Sequence, residues 1–249
     1  MAMVTWTVRG ILTGIMGLLA CQGASAWYSS KEDNIAGIYS VGGQARWAVS
    51  WRNAGGQTMP FLTDILTGEV RLLVSDGDRY LAGSSLRPQP PMTSQFVFSN
   101  AGLQHCSIQE PDHCLFGVRH QIRESKVIFR NEEIEFGGSL YQPANRGCYP
   151  SVAIAHGSEE SDRYALDPLP QILAANGIAV LTYDKRGTGV SGGDWQSAGI
   201  EDLAGDLNAA IEQVLIGERE TNSRAIGLLG FSEGGWSCLG PLLTDQLHS

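Results

Sequence analysis

The chain has 249 residues, 43% of them hydrophobic and 17% charged, so it is long and apolar enough to bury at least one core. This composition excludes disordered and fibrous proteins. The formal net charge of -9 leaves no basic surface to neutralise phosphates, and nucleic-acid binding would therefore lack its main source of affinity.

Residues 1–26 have the features of a secretory signal peptide. Arg9 is their only charge, an apolar run extends from Ile11 to Ala20, and Ala24-Ser25-Ala26 is a small-x-small cleavage site. A membrane anchor is the alternative, but the apolar run is well below the roughly 20 residues that a spanning helix needs. Leu18-Leu19-Ala20-Cys21 is similar to a bacterial lipobox, in which Cys21 would carry a lipid. The sequence thus predicts an exported protein, periplasmic or secreted, that is either soluble or lipid-anchored.

Export permits disulfides, and four cysteines follow Cys21 in the sequence. Cys106 and Cys114 flank a turn-like stretch, QEPDH, and are the expected pair. The alternative is a zinc site built from the His105-Cys106 and His113-Cys114 doublets, but their spacing matches no known zinc motif. An oxidising compartment favours the disulfide, and we expect no metal.

Residues 27–127 are predicted to form a small all-β accessory domain without a catalytic motif. Short alternating runs bounded by turn residues dominate this region, and in the clearest one Ala45, Trp47, Val49 and Trp51 share one face. An Asp-Gly pair predicts a hairpin turn between two of the runs. The other strand-like runs are Val70–Val74, Tyr80–Ala82, Phe96–Phe98, Leu103–Ile108, Leu115–Val118 and Val127–Phe129.

From residue 128 onward, short apolar strands alternate with helical patterns, which predicts an α/β fold with βαβ units. The expected helices cover residues 168–176 and 200–215. In the second helix, Glu201, Asp202 and Asp206 are predicted to lie on the outer face. The expected strands are Val152–Ala155, Ile178–Tyr183 and Ala225–Leu229.

The last of these strands runs into a G-x-S-x-G motif, residues 230–234, which precedes a helical segment. This is the context that a nucleophile elbow requires: the glycines let strand and helix backbones approach while the serine takes a strained conformation. A bare G-x-S-x-G is more often a glycine-rich turn with an incidental serine. Here the flanking strand and the upstream stretches described next favour Ser232 as a nucleophile.

Two upstream stretches, AIAHGSEESDR and GIAVLTYDKRGTGVSGG, make the chain resemble the α/β-hydrolase superfamily, in particular serine esterases, dienelactone hydrolases and serine aminopeptidases. The resemblance implies a doubly wound sheet over residues 128–249, of which only the first half would be present. It implies hydrolysis of a carboxylic ester, thioester or peptide bond through an acyl-enzyme at Ser232, without metal or organic cofactor. Backbone amides of Glu233 and of the Gly157-Ser158 turn would form the oxyanion hole, and His156 would shape that loop.

The loop at 184–192 contains a second pattern, because Gly187, Gly189 and Gly192 spell G-x-G-x-x-G. A dinucleotide site needs this pattern to open a helix directly after a strand, with an acidic residue at the end of the next strand. Here another loop follows, and Asp206, which has the required separation, falls on the predicted helix. The resemblance makes the loop structural instead.

No complete catalytic triad is visible. This fold supplies its triad in the order serine, acid, histidine, and only Asp245 and His248 follow Ser232 as candidates. Both fall in or just after the elbow helix, so we assign neither. The 122 residues from 128 to 249 are also fewer than the roughly 200 to 250 of a complete domain. We therefore expect a truncated hydrolase that is inactive as it stands; the alternative is a non-catalytic exported binding protein with a hydrolase-derived scaffold.

Overall fold

The computed structural model describes residues 35–54, 57–84, 86 and 91–240. The predicted signal peptide, Cys21, Asp245 and His248 lie outside the described residues. Contacts divide the chain into two units at the 120–121 peptide bond, before the expected boundary at 127–128, because residues 122–131 pair within the second sheet. In the described part of the chain, no helix is long and apolar enough to cross a membrane.

The N-terminal unit is a nine-stranded antiparallel sheet in the order β4-β3-β2-β1-β9-β8-β7-β6-β5. Its alternating residues bury Tyr39, Trp47, Phe96 and Leu103 in one core. Its strands are β1 (Gly37–Val41), β2 (Gln44–Ala54), β3 (Gln57–Asp64), β4 (Val70–Leu72), β5 (Val74–Asp76), β6 (Arg79–Gly83), β7 (Met92–Ser99), β8 (Gly102–Ser107) and β9 (Cys114–Arg119).

The two ends of this sheet are adjacent in sequence. Only Leu73 separates β4 at one end from β5 at the other, so the sheet must curl round until its ends approach each other. The sequence predicted Val70–Val74 as one strand. The structure divides it, because its two parts pair with different neighbours, β3 and β6.

A disulfide between Cys106 and Cys114 joins β8 to β9. Neighbouring His105 stacks on the ring of Phe96, with centroids 4.6 Å apart, and its edge meets the ring of Trp47. Burial lowers the pKa of His105. The two cysteines are thus joined to each other, and within the described ranges no cluster of three or more His, Cys, Asp or Glu is placed to hold a metal.

The C-terminal unit contains a five-stranded sheet in the order β10-β11-β13-β12-β14. β12, β13 and β14 are parallel, so their carboxyl ends lie at the same edge, where open α/β sheets bind ligands. Phe136, Leu181 and Cys238 are buried in its core, whereas Cys148 is exposed. The strands are β10 (Ile122–Asn131), β11 (Ile134–Pro143), β12 (Tyr149–Ala155), β13 (Ala179–Tyr183) and β14 (Thr221–Gly230).

Three helices accompany this sheet: α1 (Leu169–Ala175), α2 (Ile200–Ala210) and α3 (Glu233–Ser237). A π-helical turn, Ile211–Leu215, continues α2 to the end of the predicted helix. Asp206 does not lie on the outer face as expected. Its side chain is 1% exposed, and both its oxygens accept hydrogen bonds from the guanidinium of Arg186 at 2.7 Å.

A buried carboxyl precedes α1. Asp167 Oδ1 and Tyr141 Oη are buried without a hydrogen-bond partner, and burial raises the pKa of Asp167 to about 7. In the unfolded chain this carboxyl would ionise near pH 4. The folded state therefore retains a proton that the unfolded state loses between about pH 4 and pH 7, and stability falls as pH rises through that range.

Asp167→Asn is expected to remove this fall. The difference in unfolding free energy, variant minus wild type, should be about 1–3 kcal/mol larger at pH 8 than at pH 5, because Asn has no carboxyl to ionise. Urea unfolding at both pH values, followed by hydrogen exchange in residues 121–240, measures the difference. Glu133→Gln, which removes an exposed carboxyl, is the control. An equal stability difference at both pH values would contradict the assignment.

Candidate active site

Ser232 lies between β14 and α3 in a backbone conformation that side chains rarely adopt. Its φ is 50° and its ψ is -116°, and its side chain is exposed. Holding a non-glycine residue there costs about 1–3 kcal/mol, so the surrounding structure must enforce it. Among the described non-glycine residues, only Glu132 also has a positive φ.

The two outer glycines of the motif explain how the turn is enforced. A Cβ on Gly230 would lie 2.3 Å from Gly234 O, and a Cβ on Gly234 would lie 2.5 Å from the carbonyl oxygens of Ala155 and His156. Because all these atoms belong to the backbone, neither contact can be relieved by a rotamer change. Glycine at both positions lets α3 start directly against the carboxyl end of β12.

The three residues predicted for the oxyanion hole lie at the carboxyl ends of neighbouring strands. Gly157 and Ser158 follow β12 and Glu233 follows β14, and Phe231 N donates to Ala155 O at 3.2 Å where the two segments leave the sheet. In the described part of the chain, the backbone amides of Gly157, Ser158 and Glu233 have no hydrogen-bond acceptor. These three donors are therefore free to bind a negatively charged oxygen.

Lys185 links the two segments, a role that the sequence analysis did not foresee. Its Nζ donates to Gly157 O at 2.8 Å and to Glu233 Oε2 at 2.9 Å, and it lies 5.1 Å from the ring centroid of Trp195. The side chain is 4% exposed. Its position directly after β13 was the available signal, since β13 also ends at this edge of the sheet.

The loop that begins with Asp184 is held by a second buried ion pair. Asp184 Oδ1 accepts from the backbone N and the Nε of Arg163, and Oδ2 accepts from Arg163 Nη2 and from Val190 N. Gly187 N donates to Gly192 O at 2.8 Å, which closes the loop on itself. Asp206 is the acidic residue that a nucleotide ribose would need, and both of its carboxylate oxygens already accept hydrogen bonds from Arg186. This arrangement supports the structural interpretation of the G-x-G-x-x-G pattern.

His156 lies beneath the site in a buried position. Its ring meets the ring of Tyr183 edge-on, with centroids 5.3 Å apart. Burial, and then the charge of Lys185, lower the pKa of His156 to about 4, so the imidazole is neutral at neutral pH. It is the only histidine in residues 121–240, and no side chain of the described residues is hydrogen-bonded to Ser232 Oγ. The described residues thus contain the elbow and the free amides without a base at Ser232.

Comparison with known proteins gives relatives that match part of this chain. Residues 149–244 match the family model of Serine aminopeptidase, S33. An uncharacterized protein of Pseudomonas aeruginosa is 29% identical over 175 residues, which are 67% of this chain and 45% of that protein. The chain therefore spans less than half the length of this relative.

Solved structures match a similar share. The crystal structure of a hypothetical protein from Pseudomonas aeruginosa is 28% identical, with a TM-score of 0.44, over 50% of this chain and 40% of that chain. The α/β hydrolase GrgF from a Penicillium species is 25% identical, with a TM-score of 0.44, over 50% of this chain and 43% of that chain. The family match at 149–244 includes the carboxyl ends of the parallel strands, the free amides and the elbow, so this part of the chain is similar to the serine aminopeptidases of family S33.

Proposed function

We propose that this protein is a serine hydrolase in which Ser232 attacks the carbonyl carbon of a carboxylic ester, thioester or peptide bond. The observation that carries the proposal is the strained backbone of Ser232, with a φ of 50°, enforced by Gly230 and Gly234. Such strain persists only where the surrounding structure over-determines it, and it presents the hydroxyl at the edge where three parallel strands end. A glycine-rich turn with an incidental serine would not need it.

The reaction proceeds through an acyl-enzyme. Ser232 Oγ forms a bond to the carbonyl carbon and loses its proton to a base, and the negative charge passes to the carbonyl oxygen. The amides of Glu233 and of the Gly157-Ser158 turn stabilise this oxygen, and a correctly placed donor of this kind is worth about 100- to 1,000-fold in rate. The leaving group departs with a proton, and water then releases the acyl group. Because no described side chain is hydrogen-bonded to Ser232 Oγ, we propose that the general base comes from residues outside the described part of the chain.

The test is labelling with a fluorophosphonate, which forms a covalent bond with an activated serine. We expect the complete native protein that contains this sequence to be labelled at Ser232, and Ser232→Ala to remove the label, because no other hydroxyl among the described residues has this backbone and these amides beside it. Ser125→Ala replaces an exposed serine in β10, at the opposite end of the sheet from β14, and is the matched control. Intact mass reports the label and the chain length together. A labelled species heavier than 26.8 kDa by more than the mass of the label would show that the labelled chain is longer than this sequence.

A binding protein with a hydrolase-derived scaffold is the second candidate function. The observation that favours it is that Ser232 Oγ has no hydrogen-bonded side chain in the described residues. A folded protein of native mass that remains unlabelled at high fluorophosphonate concentration would support this candidate against the enzyme.

Export is part of the proposal. The Cys106–Cys114 disulfide supports it, since disulfides persist in oxidising compartments and are rare in the cytosol. The leader-like residues 1–26 support it independently, with either soluble release or a lipid at Cys21.

A further inference from the structure

We propose that Lys185 is a positioning residue that holds the oxyanion donors in place, an inference that rests on the proposed function. It connects the segment after β12 to the residue after the nucleophile. Its Nζ donates to Gly157 O at 2.8 Å and to Glu233 Oε2 at 2.9 Å. Both partners belong to residues whose backbone amides are predicted donors of the oxyanion hole.

The first contact fixes the direction of one particular donor. In a planar trans peptide, the carbonyl of one residue and the N–H of the next point in opposite directions. The hydrogen bond from Lys185 Nζ to Gly157 O fixes the plane of the peptide between Gly157 and Ser158. The Ser158 N–H therefore points away from Lys185. This selects Ser158, rather than Gly157, as the donor whose orientation depends on Lys185.

The second contact anchors the other side of the hole. Glu233 provides the second predicted donor through its backbone and binds Lys185 through its carboxylate. The ammonium thus restrains both donor residues through one atom, while the ring of Trp195 faces it at 5.1 Å. A positive charge with a side chain only 4% exposed is unfavourable unless it is fully paired. The paired ammonium therefore fixes the distance between the segment after β12 and the residue that follows Ser232.

An error in donor position affects the transition state more than substrate binding, because the oxyanion forms only during the reaction. For Lys185→Met we expect kcat on a p-nitrophenyl acyl ester to fall about 10- to 100-fold, with KM nearly unchanged. Lys185→Arg should recover part of kcat, since it can still donate to both oxygens. Glu233→Gln should have a smaller effect than Lys185→Met, because the glutamine side chain retains an oxygen that can accept from the ammonium.

The experiment compares these variants in the complete native protein that contains this sequence, with Lys126→Met as the control, because the Lys126 side chain is 58% exposed and the site does not include it. Circular dichroism and thermal melts accompany the kinetics, and if Lys185→Met does not fold, Lys185→Arg and Glu233→Gln decide. A wild type that neither labels nor hydrolyses the ester would overturn the proposed function, and this inference with it. An active wild type with unchanged kcat in Lys185→Met, or with the whole loss in KM, would overturn this inference alone.

Discussion

Asp184→Asn is expected to lower the unfolding free energy of the C-terminal unit by about 3–5 kcal/mol, the largest stability change that we expect from a single polar substitution. Asp184 accepts four hydrogen bonds, three from Arg163 and one from Val190 N, at 2.6 to 2.9 Å. The Asp184 side chain is 2% exposed and the Arg163 side chain is 8% exposed. Asn would leave the Arg163 guanidinium charged and buried without its counter-charge.

The matched control is Glu135→Gln. Glu135 accepts from Arg130 at 2.8 Å, but both side chains are more than half exposed, and such pairs contribute about 0–1 kcal/mol. Urea unfolding followed by hydrogen exchange in residues 121–240 measures both changes. Similar losses for Asp184→Asn and Glu135→Gln would show that burial of the Arg163 pair does not matter.

The pH dependence of the same pair has the opposite sign to that of Asp167. Burial acts to raise the pKa of Asp184, but the hydrogen bonds from Arg163 and Val190 outweigh it and lower the pKa below the ordinary value. The pair therefore stabilises the fold above the pKa of an unfolded Asp, near pH 4, and this contribution is lost as pH falls below it.

Gly234→Ala is expected to cost about 1–3 kcal/mol of stability, or more, and to abolish fluorophosphonate labelling at Ser232. The new Cβ would lie 2.5 Å from the carbonyl oxygens of both Ala155 and His156, so α3 must move away from β12. That movement would shift the strained backbone of Ser232 and the amide of Glu233 together.

Gly235→Ala is the matched control in the same helix. A Cβ there meets nothing within 4 Å, and alanine is the better helix former, so we expect no loss, or a gain of up to about 1 kcal/mol. Thermal melts and labelling rates of the two variants, measured side by side, provide the comparison. Normal labelling of Gly234→Ala would remove the basis for the enforced elbow.

The sequence was sufficient to predict a turn at Ser232 between a strand and a helix, because the G-x-S-x-G spacing and the preceding apolar strand are local features. It was not sufficient for Asp206, which is separated by a helical turn from exposed Asp202 but is covered by Arg186. The partner comes from a loop that precedes the helix, and helical periodicity contains no information about such a loop. The hydrogen bonds of Lys185 were missed for the same reason, since its partners Gly157 and Glu233 are distant in sequence.

Strand pairing shows the same limit. Val70–Val74 has one continuous pattern, yet Leu73 divides it between two strands whose partners differ. The unit boundary was placed within β10 rather than before it, because the first half of β10 has the same alternation as the preceding strands. Its hairpin to β11 turns at Glu132, with a φ of 53°, and lacks the Asn-Gly or Asp-Gly signal that would have indicated the pairing.

The two free cysteines of the C-terminal unit differ in chemical reactivity. Cys238 follows α3 and is buried in the core, where desolvation raises its thiol pKa to about 11, whereas Cys148 is exposed. Because the thiolate is the reactive species, an alkylating reagent modifies Cys148 in the native protein and reaches Cys238 only when the elbow helix opens. Cys238 is therefore a natural probe of local opening near Ser232. Its alkylation rate, with Cys148 as the internal reference, measures how often the helix that follows the strained turn opens.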